Sequence, residues 1–236
     1  MMDGLAGRVV LIAGAHGALG FAVVDEFAHA RAQLALASNP IDKLRERVSA
    51  RDLPRERVLL LEAKAIDPDR VEALVEDVVA RLGRVDVLLN AVGGWKDGAW
   101  VEETSVDDWD EMLYLNLRSA FLLSRAVLPH MLEAGWGRIV HISSRAALEP
   151  RPKQVGLAVS MMGLITLTEV IAAEVVGTGV TANVIVPDFG EGRSDPGHAL
   201  EEGTQGHVSP EKRIAAMMRF LCSDAGALIN GARIPI

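Results

Sequence analysis

The sequence predicts an α/β fold, a doubly wound parallel sheet with helices on both faces, folded as a single domain over residues 1–236. Three observations predict it. Short apolar runs rich in Val, Ile and Leu recur along the chain, segments with helical spacing separate them, and a glycine turn directly follows the first run. Near-continuous apolar strands suit a sheet buried on both faces, and parallel strands need crossover connections that helices supply. A chain of 236 residues encloses one substantial core.

The first apolar run, Arg8 to Ala13, reads as a strand, because the residues before it lack the basic and apolar regions of a targeting segment. Further strands are expected at Gln33 to Ala37, Val58 to Leu61, Val85 to Leu89, Arg138 to Ile142 and Thr181 to Val186. Among the helices, Val71, Leu74, Val75, Val78, Val79 and Leu82 form one stripe, preceded by the start signal Asp67-Pro68. Ser209-Pro210-Glu211 repeats that signal ahead of the run Ile214 to Cys222. The apolar stretch Val155 to Val176 contains Ser160, Thr166, Thr168, Glu169 and Glu174, which are costly in lipid, so it reads as a buried helix and no membrane association is expected. Asp188 to Val208, rich in Gly, Glu and Asp, is expected to be a lid or substrate loop, or disordered.

With 24 basic against 32 acidic residues the net charge is −8, and no dense Lys/Arg block exists. A nucleic-acid partner is therefore not expected. Cys222 is the single cysteine, so no intramolecular disulfide and no cysteine-based metal centre can form. A cytoplasmic location fits, Cys222 is expected in the core, and no metal site is expected.

Gly14-Ala15-His16-Gly17-Ala18-Leu19-Gly20 stands between the first strand and an apolar helical run starting at Phe21. Glycines there let backbone approach a pyrophosphate, and the helix N-terminus behind them offers free amides and positive partial charge. A dinucleotide site is the functional interpretation of Gly14, His16, Gly17, Leu19 and Gly20; a purely structural turn is the alternative. At the end of the second strand an acidic side chain would hold the ribose of NAD and a basic one the extra phosphate of NADP. Ala37-Ser38-Asn39 supplies neither. Without a carboxylate there, and with His16 able to donate to a phosphate, the expectation leans to NADP over NAD; an exposed loop histidine is the alternative for His16.

The segment from Leu5-Ala6-Gly7-Arg8-Val9-Val10 through this turn resembles the short-chain dehydrogenase/reductase family, and the likeness runs over nearly the whole chain. It implies a Rossmann-type fold and an NAD(P) cofactor. The family's threonine before the first glycine is Ala13 here, and its middle glycine falls on Ala18, with Gly17 one place earlier. Leu89-Asn90-Ala91-Val92-Gly93 is similar to the family's Asn-Asn-Ala-Gly run, which implies cofactor contacts for Asn90, Ala91 and Gly93. The family's adenine-side aspartate aligns with Lys64. After the sixth strand the family has Pro-Gly and then a threonine; here Pro187 is kept but Asp188-Phe189-Gly190-Glu191-Gly192 follows. The C-terminal segment Asn230 to Ile236 resembles the last strand without its Asp-Gly-Gly ending.

The family uses a tyrosine, a lysine four residues later, a serine after the fifth strand and an asparagine on an earlier helix. The resemblance assigns the last two to Ser144, with Ser143 its near equal, and to Asn116; their alternatives are a turn serine and a polar residue inside a helix. Aligning Val155 to Gly163 on the family's Tyr-x-Ala-Ser-Lys-x-Gly pattern puts Leu157 at the tyrosine and Met161 at the lysine, and no Tyr or Lys lies between Gln154 and Glu174. Neither side chain exchanges protons. Tyr114, the one tyrosine, reads as core or interface packing, and Lys153 as a solvated loop residue.

Two functions follow. One is an NAD(P)-dependent oxidoreductase with noncanonical or impaired hydride transfer; the other is a catalytically inactive ligand-binding or assembly subunit of the same fold. A third, a structural partner without a small-molecule site, would leave the three glycines idle. The apolar excess of Val155 to Val176 suggests a homodimer or homotetramer. Trp95 and Trp100 are expected to border a pocket for an unidentified small-molecule substrate or ligand.

Overall fold

Alternating apolar side chains organise the computed structural model, which describes residues 4–51, 53–63, 67–96, 98–188 and 208–236. Along β1 (Val9–Ala13), Val10 and Ile12 join one hydrophobic cluster, while Val9, Leu11 and Ala13 join another on the opposite side. The same two-residue period continues in β2 (Gln33–Ser38), where Leu34 and Leu36 face away from Ala35 and Ala37. Five further strands complete the sheet: β3 (Val58–Glu62), β4 (Val87–Asn90), β5 (Gly137–Ile142), β6 (Val180–Val186) and β7 (Arg233–Pro235). All pairings are parallel, in the order β3-β2-β1-β4-β5-β6-β7.

Helices cover both faces, as a parallel sheet needs. On the first face lie α1 (Ala18–His29), α2 (Ile41–Ser49) and α7 (Pro210–Cys222), contributing Phe27, Leu44 and Met218 to its core. On the second lie α3 (Pro68–Leu82), α5 (Ser119–Glu133) and α6 (Val155–Glu174), contributing Val75, Leu123 and Ile171. The two start signals act as caps: Asp67 accepts from the Arg70 amide and Ser209 from the Lys212 amide. Helix α4 (Val106–Met112) runs into α5 through six residues of wider π-type turns, 113–118.

The expected strands are present, each within two residues of its expected ends, and the C-terminal segment forms β7. Helix α6 has the length and composition to cross a membrane, but half of its most apolar stretch is buried here, where it packs on β6 and the π turns. Cys222 is fully buried, and burial pushes its thiol well above the ordinary range. Tyr114 corrects the packing expectation in part, since at 47 % exposure it is not core and rests beside the Arg118 guanidinium. The Asp188 to Val208 loop lies outside the described residues except at its two ends, as do Lys64 and the Phe189 to Gly192 segment.

Asp86 ties the lower, N-terminal edge of the sheet together. Its buried carboxylate accepts from the Val9 amide at 2.9 Å, from Arg8 at 2.9 Å and from Arg84 at 2.8 Å. Arg8 in turn stacks on Trp136, with Arg138 also near that ring. Both ion-pair partners of Asp86 reach solvent, so its removal chiefly orphans a buried amide. Asp86→Ala is expected to lower unfolding free energy by about 2 kcal/mol in urea denaturation, with Asp86→Asn recovering part of it.

Candidate functional site

Strand order reverses between β1 and β4, because β2 and β3 lie to one side of β1 and β4 to β7 to the other. Strand ends splay apart at such a switch point and leave a crevice above their C-terminal edge. Backbone crowding shapes the crevice here. Gly14 leaves β1 at φ +81°, and a Cβ on it would lie 2.6 Å from the Ala91 carbonyl oxygen and 2.9 Å from the Val92 nitrogen. Gly20, in the first turn of α1, has no room either, since its Cβ would meet the Gly14 oxygen at 2.4 Å. At Gly17, which caps α1, the nearest atom would be 3.8 Å away, so space remains beside it. The turn thus brings the α1 N-terminus close over the β1 and β4 ends and leaves its outer side open.

Leu19 and the segment 91–94 wall the cleft on the α1 and β4 side. Opposite them stand Ile142, Ser143 and Ser144 from the end of β5, and Leu157 and Met161 from the first turns of α6. Leu157 is 5 % exposed and Met161 7 %, so both are packed hydrocarbon and thioether at the cleft wall. The Ser143 hydroxyl donates to the Met161 carbonyl at 3.0 Å, while the Ser144 hydroxyl accepts from the Ala146 amide at 3.2 Å. Ser144 therefore keeps its proton free to donate toward a ligand. Chemically the corner offers hydroxyls and apolar surface, and among its described lining residues none is ionisable.

Asn116 sits in the π turns, fully buried behind that wall. Its oxygen accepts from the Gly94 amide at 2.8 Å; its nitrogen donates to the Gly94 carbonyl at 3.2 Å and to the Ser160 hydroxyl at 3.0 Å. Ser160 passes the chain on by donating to the Leu157 carbonyl at 3.1 Å. Asn116 thus links the β4 loop to the α6 turn carrying Leu157.

Two other expected groups sit on either side of this cleft. His16 is half-buried, its Nδ1 2.9 Å from the Ser38 hydroxyl, which itself donates to the Pro40 carbonyl. Burial, then the nearby Lys43 and Arg47 charges, lower its pKa. Ser38 is buried at the end of β2 and Asn39 is exposed just beyond it. Pro187 lines a neighbouring hollow with Asp188, Pro210, Arg213, Ile214 and Ile236, not the Ser144 cleft. Trp95 and Trp100 are part-exposed in the loop leading away from Gly94 and are not among the cleft-lining residues; Lys153 stands over the Trp100 ring at 5.5 Å.

The sequence did not reveal the buried polar pair under the β4 loop. Asn90 and His141 are register partners on β4 and β5, and both are fully buried. Asn90 Nδ2 lies 3.3 Å from His141 Nδ1, Ser124 Oγ is 3.1 Å from His141 Nε2, and Asn90 Oδ1 accepts from the Val92 amide at 3.1 Å. A histidine inside an apolar strand was the available signal.

A crevice at the switch point, beneath a helix N-terminus and beside Gly14 and Gly20, which admit no side chain, places the fold in the Rossmann class, whose ligands bind at such a crevice. Comparisons with known proteins narrow the class. The short chain dehydrogenase family model matches residues 8–194. A D-threitol dehydrogenase of Mycolicibacterium smegmatis is 34 % identical over 98 % of this chain and 92 % of its own length. A 3-oxoacyl-[acyl-carrier-protein] reductase of Thermotoga maritima is 30 % identical, covering 98 % and 97 %. A crystal structure from Burkholderia xenovorans, described as a short-chain dehydrogenase/reductase, superposes with a TM-score of 0.86 at 28 % identity over 99 % of this chain and 96 % of the other. The chain belongs to the short-chain dehydrogenase/reductase family, whose members are oxidoreductases that generally use NAD(P).

Burial lowers the His141 pKa from the ordinary 6.5 to about 4. Between these values the unfolded chain holds the proton and the folded chain does not, so stability rises with pH through that window and falls as pH drops from 6.5 toward 4. The loss is worth roughly 3 kcal/mol over the window. Urea denaturation across pH 4 to 7 is expected to show this slope in the native protein and a shallower one in His141→Asn.

Proposed function

We propose that the cleft binds NADP(H), in preference to NAD(H), and that this protein is an oxidoreductase with noncanonical or impaired hydride-transfer chemistry. The observation that carries this reading is the pairing of a glycine crevice with Leu157 and Met161 beside Ser143 and Ser144 in the wall opposite it. The residues present fit a dinucleotide: Gly14, Gly20 and the α1 N-terminus form a close backbone cradle with open space at Gly17, and Ala91 and Gly93 border it. When bound, NADPH supplies a hydride. Lys43 and Arg47, whose charges act on His16 beside the end of β2, suit an additional phosphate better than the bare ribose hydroxyls that a carboxylate would hold.

Ser144 orients an acceptor oxygen by donating its hydroxyl proton, and Asn116 holds the wall through Gly94 and Ser160. No phenol or amine stands at Leu157 or Met161 to move a proton, and a missing general acid costs about a hundredfold to ten-thousandfold. An acceptor that needs no strong acid, such as an activated double bond or an iminium, suits such a corner better than a ketone.

A second reading, an inactive ligand-binding or assembly subunit, draws on the same two side chains and on the exposed apolar residues Phe121, Val159, Met162 and Val170 of α5 and α6. These faces suit a homodimer or homotetramer in the cytoplasm.

Calorimetry is expected to show NADPH binding about tenfold tighter than NADH, the worth of one charge-assisted hydrogen bond; no detectable binding of either at millimolar cofactor removes the proposal. Leu157→Tyr/Met161→Lys is expected to raise NADPH-dependent reduction of an acetoacetyl thioester by about a hundredfold or more over the native protein. Fast turnover by the native protein, abolished by Ser144→Ala, excludes the inactive reading. Light scattering at micromolar concentration is expected to give a dimer or tetramer, and a monomer contradicts that assignment.

A further inference from the structure

Asn90 and His141 stand side by side on the α5 face of the sheet, and the partners around them leave one arrangement of hydrogens. The Val92 amide can only donate, so the group it meets on Asn90 is the carbonyl oxygen. The other end of that carboxamide is then NH2, which must find an acceptor in a fully buried setting. His141 Nδ1 is that acceptor, which puts the imidazole proton on Nε2, directed at the Ser124 hydroxyl. The bonds thus run in one direction, from the Val92 amide to Asn90, from Asn90 to His141 and from His141 to Ser124 on α5.

The cleft end of this chain is the peptide on which the glycine turn rests. Gly14 approaches the Ala91–Val92 peptide so closely that no Cβ fits between them. A rotated Asn90 carboxamide would set NH2 against the Val92 N–H and push that peptide off its seat, leaving a buried donor without a partner. A neutral imidazole with a bare Nδ1 prevents the rotation. Burial favours the neutral state, which lies well within reach at neutral pH.

We propose that His141 is a positioning residue for the cleft: by fixing the Asn90 carboxamide it seats the Ala91–Val92 peptide against Gly14 and so sets the wall that a bound dinucleotide meets. The inference rests on reading that cleft as the cofactor site. His141 touches neither the cleft nor its contents and acts through Asn90.

Three variants separate positioning from bulk stability. His141→Asn keeps an acceptor for Asn90 but does not reach Ser124; His141→Leu fills similar space and offers no acceptor; Ser124→Ala leaves the Asn90 contact intact. All three are expected to lower Tm. NADPH affinity measured by calorimetry is expected to fall about tenfold, the ordinary consequence of one lost buried bond, in His141→Leu alone. Affinity that follows Tm across the set, or that is unchanged in His141→Leu, overturns the proposal. Two measurements need no cofactor and decide the matter if NADPH does not bind, a result that would count against the cofactor reading alone. Hydrogen exchange at the Val92 amide is expected to accelerate about tenfold in His141→Leu relative to His141→Asn, and equal rates overturn the proposal. Nitrogen-15 spectra of the native protein are expected to show His141 protonated on Nε2 and bare on Nδ1; the opposite tautomer overturns it without any variant having to fold.

Discussion

The approach of Gly14 to the Ala91–Val92 peptide is the contact on which the site depends. It occurs where strand order reverses, so it joins the two halves of the sheet just where the crevice opens. A side chain at Gly14 would wedge β1 from β4, and one at Gly20 would lift α1 off the turn. The positive φ of Gly14 adds a second reason for glycine, since L residues with a Cβ rarely adopt that conformation. With both glycines in place, the helix N-terminus comes to rest over the strand ends, and its unpaired amides face the opening.

Around that contact, polar side chains serve as fasteners. Asn116 fastens the β4 loop to α6 through Gly94 and Ser160, while Asn90 fastens the same loop to β5 through His141. Both amides are buried and use their oxygen and nitrogen ends on fixed partners, which makes the wall of the cleft rigid from behind. The face toward the cleft is different in character. Leu157 and Met161, which the resemblance sets against the family's tyrosine and lysine, pack in the fold as ordinary core neighbours of Leu164 and Val184. The scaffold therefore does not need a phenol or an amine there to hold together. Hydrocarbon and thioether at those positions leave the fold intact and offer the cleft no ionisable group.

The sequence was most legible where one physical signal acts locally. Alternation in Val9 to Ala13 and Gln33 to Ser38 sorted side chains onto two faces, and the Asp67-Pro68 and Ser209-Pro210 pairs marked helix starts through capping that needs only three residues. Tyr114 was less legible. Its segment is apolar, but the wider π turns of 113–118 shift the helical phase so that Asn116 turns inward and Tyr114 outward, and no simple period announces such a turn. Pro187, kept from the family's Pro-Gly pair, lines the adjoining hollow beside α7, apart from the glycine turn because β6 lies three strands from β1 in the sheet.

The sequence by itself determined the class of fold, the position of the glycine turn and the absence of any tyrosine or lysine from the α6 segment, because each is written in residue types at short spacing. Only the tertiary structure decided that Leu157 and Met161 join Ser143 and Ser144 in one wall of the cleft, and that His141, Asn90 and Ser124 form a directed chain beneath it. Those residues lie 17 to 51 positions apart, and a hydrogen bond between them exists only once parallel pairing sets β4 and β5 in register and α5 packs over both.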